Sequence, residues 1–274
     1  MAAAENCMEN TTSNVTKSEQ FYEVTDTVAP RTLMFQETKF GTKVRLYYKR
    51  SCKEKIFSHG FSMKADAEDY VIENYKYVKH GKTDQIYVEV KRWPVKIMQL
   101  RHLANADNIV VGLNKSILND FMHFAEATTF RIGSVSLQKW ERNDQVVLSP
   151  AFFKSKLVES ASHLNIEPKC NISKEDFLNL SLKHFHVNSW INIGFIQEKI
   201  FKHINTNDAK GCIFKIVLPN DESRVFELNE LFPANRFPQR EFEVRRGCFR
   251  IGQKIQGSIS RNMKELMVYF RVQE

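Results

Sequence analysis

The segment IYVEVKRWPVKIMQLR, residues 86–101, is the longest strand-like run in the chain and the one on which the fold turns. Ile86, Val88 and Val90 recur at every second position, so an extended backbone points them to one face. Pro94 then shifts the phase, and Val95 and Ile97 take over the apolar positions. Proline cannot donate to a ladder, so the run reads as an edge strand or as a strand bulged at Pro94.

Upstream, KVRLYYKR (43–50) has the same alternation: Val44, Leu46 and Tyr48 point one way, and Lys43, Arg45, Tyr47 and Lys49 the other. Further strand-like runs follow near 130–138 and 145–149. They return at the end of the chain in CIFKIVLP, SRVFELNELFP, EFEVRRGCFRIGQKIQGSIS and ELMVYFRV, where Leu266, Val268, Phe270 and Val272 form an inner face. Between them lie helical patterns. Ser62 precedes one whose apolar face is Ala67, Tyr70, Val71, Asn74, Tyr77 and Val78, with Gly81 past its end; 113–128 is a second. Residues 154–204 form a longer helical zone in which Ser173 caps KEDFLNLSLKHFHV. Phe152 and Phe153 of PAFFKSK suit anchoring a helix to the sheet.

Residues 1–30 are polar, rich in Ser, Thr and Asn, and read as a disordered tail; 31–274 read as a single domain without internal repeats. The expected class is α+β, predominantly β. Basic, twisted strands with bulges at Pro94 and Gly247 point to an OB-like open barrel or a twisted antiparallel sheet with inserted helices.

The 274 residues carry 40 Lys and Arg against 32 Asp and Glu, a net charge of +8 that favours an acidic partner. Five scattered cysteines with no CxxC pair argue against a disulfide framework. No run approaches the apolar length of a spanning helix, so an intracellular protein without a membrane partner is expected. There is no phosphate-binding loop, dinucleotide fingerprint or nucleophile elbow. His184 and His186 stand two apart, with Cys170, His203 and Cys212 as distant neighbours. On a helix they would not share a face, so no metal and no cofactor are assigned.

Basic residues interleaved with aromatics do accumulate. Lys43, Arg45, Tyr47, Lys49 and Arg50 form one such segment, and Lys91, Arg92, Trp93 and Lys96 a second. Trp140 lies between Lys139 and Arg142, and Arg245, Arg246, Phe249, Arg250 and Lys254 complete the set. In a single-strand binder cations track phosphates while rings stack on bases, at about 1–3 kcal/mol per base. The competing reading places the rings in the core, with the flanking cations reaching solvent.

The chain also resembles the single-stranded DNA-binding proteins of baculoviruses and related large insect DNA viruses, through FQETKFGTKVRLYYKR, WERNDQVVLSPAFFKSK and the basic, β-rich end. The resemblance implies a non-enzymatic protein that coats single-stranded DNA, helps unwind or anneal duplex, and serves viral replication in the host nucleus; a homo-oligomer along the strand is a further expected partner. Two other classes remain open: a structural protein whose basic face meets an acidic protein partner, and a metal-dependent nuclease whose acids converge only in the folded state.

Overall fold

The computed structural model describes residues 28–50, 53–100, 103, 106–128, 131–140, 146–189, 191–206, 211–219, 228–243, 247–261 and 265–273. The proposed tail, apart from 28–30, lies outside them.

The chain opens with an antiparallel meander, β1 (Thr32–Thr38), β2 (Gly41–Arg50) and β3 (Lys53–Phe61). Helix α1 (Lys64–Lys76) then crosses back to β4 (Gln85–Glu89), which pairs with β1 in parallel. From there strand and helix alternate: α2 (Val95–Met98), β5 (Asn108–Leu113), α3 (Leu118–Ala127) and β6 (Ser134–Lys139). Next come the short β7 (Val147–Leu148), α4 (Pro150–Phe153), α5 (Lys156–Ser160) and β8 (His163–Cys170). The alternation ends with α6 (Lys174–Asn179), β9 (His184–Ser189), α7 (Ile193–Asn205) and β10 (Ile213–Pro219). After α8 (Leu228–Leu231), an antiparallel group closes the chain: β11 (Arg240–Glu243), β12 (Cys248–Ile251), β13 (Ile255–Arg261) and β14 (Glu265–Val272).

All fourteen strands belong to one open sheet, in the order β11-β12-β13-β14-β10-β9-β8-β6-β5-β4-β1-β2-β3, with β7 beside β8. The seven strands from β1 to β10 along that path are mutually parallel and lie in chain order. Parallel crossovers are right-handed almost without exception. Successive crossovers that always advance in one direction therefore stack their helices on one face. From β4 onward the parallel strands begin at 85, 108, 134, 163, 184 and 213, steps of 23, 26, 29, 21 and 29 residues. That matches the roughly 20–29 residues of strand-plus-helix solenoid repeats.

The wound centre corrects both the antiparallel-sheet and the OB-like expectations: the sheet is open and parallel through its middle. The absence of sequence repeats stands beside a structural recurrence. The units recur in structure, and their sequences share little beyond alternation. Asn114, buried behind β5, ties neighbouring units together. Its Nδ2 donates to Val90 O at 2.8 Å, and its Oδ1 accepts from Ser116 N and Ile117 N at 2.9 and 3.1 Å.

The opening segment is thus a central strand followed by a helix. β4 lies between β1 and β5, ends at Glu89, and Pro94 is the N-cap of α2. The ladder irregularity expected at Pro94 occurs instead in β8, between Ile166 and Lys169, around Pro168. Gly247 has φ +60° and accepts from Ile259 N at 2.8 Å; a Cβ there would stand 2.4 Å from Ile259 O. It is a left-handed turn residue pressed against β13.

The helix starts largely follow the sequence. Ser173 caps α6, its Oγ accepting from Asp176 N at 3.0 Å, while α1 begins at Lys64 with Met63 rather than Ser62 at its N-cap. The long helical zone is broken by β8 and β9, so HFHV is strand rather than helix. Leu228–Leu231, read as part of a strand, is helical.

The core fills the side of the sheet covered by helices. Leu33, Val44, Leu46, Ile86, Val88, Ile109, Val111, Val135, Leu137, Phe214 and Phe270 alternate inward and are at most 1% exposed. Phe152 and Phe153 anchor α4 there, as expected.

Candidate interaction face

Residues between these inward positions form the opposite face of the sheet. No helix is needed there by the winding, and the side chains are partly or fully exposed. Register aligns them into rows. One row runs Arg45, Met34, Tyr87, Val110 and Ser136 on the first half, then Asn165, His186, Lys215, Tyr269 and Ser258 on the second. A neighbouring row carries His163, His184, Ile213, Arg271, Gln256 and Arg250.

On the first half Glu89 gathers a polar network, while Lys43 and Arg45 are in no ion pair among the described residues. Glu89 accepts from Gln36 Nε2 at 2.8 Å and from Tyr87 Oη at 3.0 Å. Burial, the Glu89 hydrogen bond and the charges of Glu89 and Glu167 push the Tyr87 phenol up to about 12, so it remains a donor. Arg45 Nη1 lies 3.6 Å from Met34 Sδ.

The second half gathers cations around one ring. Among the described residues, neither Lys215 nor Arg271 is in an ion pair. Register puts Lys215 directly between His186 and the half-buried Tyr269, and Arg271 two positions along from Tyr269 on the same face. The His163 and His184 rings stack at 4.4 Å with an interplanar angle of 15°, and Ser162 Oγ is 2.7 Å from His163 Nδ1. Burial first, then His163, Arg271 and Lys183, hold the His184 imidazole below its ordinary value. Burial and Lys215 do the same to His186, against Glu167. Burial leads in both, and the neighbouring cations add to it.

The expected site residues divide. Tyr47, Lys43 and Arg45 lie on the uncovered face, while Val44, Leu46 and Tyr48 are buried as expected. Lys91, Arg92 and Lys96 are exposed, at the far end of β4 and on α2. Trp93, expected as a stacking ring, is only 4% exposed and packs edge-on to Phe121 at 5.5 Å. Phe249 is 2% exposed, 4.6 Å from Phe232. Trp140 is partly buried against the core. A ring enclosed by protein has no face for a base, so Trp93 and Phe249 are withdrawn as stacking platforms. Arg250 is exposed opposite Glu241, and Lys254 Nζ donates to Ile204 O at 2.9 Å. The side chains of Lys49 and Arg50, and all of Arg245 and Arg246, lie outside the described residues.

Because β9 is extended, His184 and His186 do share a face, yet no group of three metal-ligating side chains occurs among the described residues. Lys215, Tyr269 and Arg271 were missed because each stands alone in an apolar run. The signal was present: IFKIV and VYFRV each place a cation between two inward residues, which in a strand puts it on the other face.

Among the described residues no helix is long and apolar enough to cross a membrane. No family model, curated protein or solved structure matches the chain, so the resemblance to the baculoviral single-stranded DNA-binding proteins has no match behind it.

Proposed function

We propose that the chain is a non-catalytic recognition module whose uncovered sheet face, on its β8–β14 half, binds an acidic segment of a protein partner. The observation that carries this reading is the pair Lys215 and Arg271, without ion-pair partners among the described residues and flanking Tyr269 on a sheet face. Extended one-sided surfaces of wound repeats suit macromolecular ligands. Half-exposed tyrosine beside arginine is the chemistry of interface anchors.

The test is a polarisation titration with a labelled Asp/Glu-rich peptide. Saturable binding that falls about tenfold in Lys215→Glu and in Arg271→Glu supports the reading, as loss of a charge-assisted bond is worth about that much. Binding indifferent to both substitutions contradicts it.

Single-stranded nucleic acid is the second reading. Tyr269 between cations, and Tyr47 beside Arg45, favour it, since half-exposed rings flanked by charge accept unpaired bases. It ranks second because two of the four rings on which stacking rested are in the core. Tight binding of a labelled single strand over duplex, weakened by Tyr269→Ala and by salt, would reverse the order. A role in viral replication or in the nucleus would follow only from that outcome.

A further inference from the structure

On the helical side, where α6 ends against α7, two lysines converge without a carboxylate. Lys199 Nζ donates to Leu178 O at 3.0 Å and Leu180 O at 2.8 Å, and Lys202 Nζ donates to the same Leu178 O at 3.1 Å. Sharing one acceptor, the two ammonium groups cannot be farther apart than those two bonds end to end. Lys199 is 1% exposed, with its ammonium 5.8 Å from the Phe177 ring and 5.5 Å from the Phe214 ring. Among the described residues no acid pairs with either lysine.

Both line a cavity of about 210 Å³ together with His203, Thr206 and Cys212. His203 is 7% exposed, and its Nε2 is buried without a hydrogen-bond partner. A buried polar atom left unpaired costs about 1–3 kcal/mol, which a ligand bound in the cavity that His203 lines would recover.

We infer that this cavity is a binding site for a small oxyanion of phosphate size, held by the ammonium groups of Lys199 and Lys202 and by the Nε2–H of His203. Each lysine has N–H groups beyond those given to carbonyls. The imidazole supplies a neutral donor, and the Phe177 and Phe214 rings exclude water behind Lys199. Burial, then the two lysines, hold His203 down to about 4; burial, then Lys202, holds Lys199 down to about 8. Burial leads in both, the neighbouring ammonium groups add to it, and Cys212 opposes it at Lys199. The site is on the opposite side of the sheet from the proposed interaction face and does not depend on it.

Isothermal titration of the full chain with inorganic phosphate, in chloride buffer of matched ionic strength, tests the inference. Expected is one saturable site, weakened about tenfold by Lys202→Gln, which removes one charged donor from an exposed position. His203→Leu should also lose phosphate binding while raising the thermal midpoint in chloride, because it removes the unpaired nitrogen. Absence of saturable binding to the unmodified chain at millimolar phosphate overturns the inference. So does binding that both variants retain, which would place the anion elsewhere on the basic surface.

Discussion

The two faces of the same strands follow different rules. In β10 and β14, Phe214 and Phe270 stack at 4.7 Å inside the core, and one residue along, Lys215 and Tyr269 stand as neighbours on the uncovered side. In β4, Val88 is 1% exposed while Tyr87 and Glu89 form a polar network outside. One face is set by packing and tolerates little change. The other contributes little to stability and is free to carry recognition.

The sharpest way to break this comparison is to truncate one residue on each side. Phe214→Ala should cost about 3–5 kcal/mol, since a large buried ring leaves a cavity. Lys215→Ala should stay within about 0.5 kcal/mol. Urea denaturation measures both, and equal costs would mean that the faces are not distinct. The same contrast separates the first two basic-aromatic segments: Trp93→Ala should lose about as much as Phe214→Ala, and Tyr47→Ala, on the uncovered face, much less.

Next in size is the acid limb of stability. His203 titrates at about 4 in the fold and near its ordinary 6.5 when unfolded. The unfolded chain therefore binds the proton first, and stability is lost as pH falls from 6.5 towards 4. The difference corresponds to about 3 kcal/mol. His203→Leu should flatten that limb, whereas substitution of the exposed His184 should leave most of it.

Smaller effects sharpen the picture at the strand level. A Cβ at Gly257 would stand 2.3 Å from Tyr269 O and 2.4 Å from Phe249 Cζ. Gly257→Ala should therefore cost about 1–3 kcal/mol by overpacking. On the uncovered face, Tyr87→Phe removes only the hydrogen bond to Glu89, at about 1 kcal/mol by chemical denaturation.

The faces were more legible in the sequence than the topology. Alternation assigned Val44, Leu46 and Tyr48 in KVRLYYKR, and Val268, Phe270 and Val272 in the final strand, to the inward face correctly, because period 2 is a local property. The same alternation misled on topology. Parallel strands are ordinarily buried on both sides and read as continuous apolar runs, so alternating strands read as antiparallel. Here helices cover a single side, and parallel strands alternate. Pro94 misled for a related reason: proline marks the break in a strand equally well as a bulge or as the entry to a helix, and only the partner strands decide. Of the candidate site, Lys43, Arg45 and Tyr47 were legible. The Lys215, Tyr269 and Arg271 cluster was not, because it is assembled by pairing β10 with β14 across more than fifty residues.

The most direct measurement compares two charge reversals in one binding assay. The Lys215→Glu/Arg271→Glu pair lies on the uncovered face; the Lys91→Glu/Arg92→Glu/Lys96→Glu set lies at the end of β4 and on α2. With the labelled acidic peptide as probe and thermal melting as the control for folding, the face variant should lose binding and the other should retain most of it. Retention by the face variant with loss in the other would move the recognition surface off the sheet face and contradict the account.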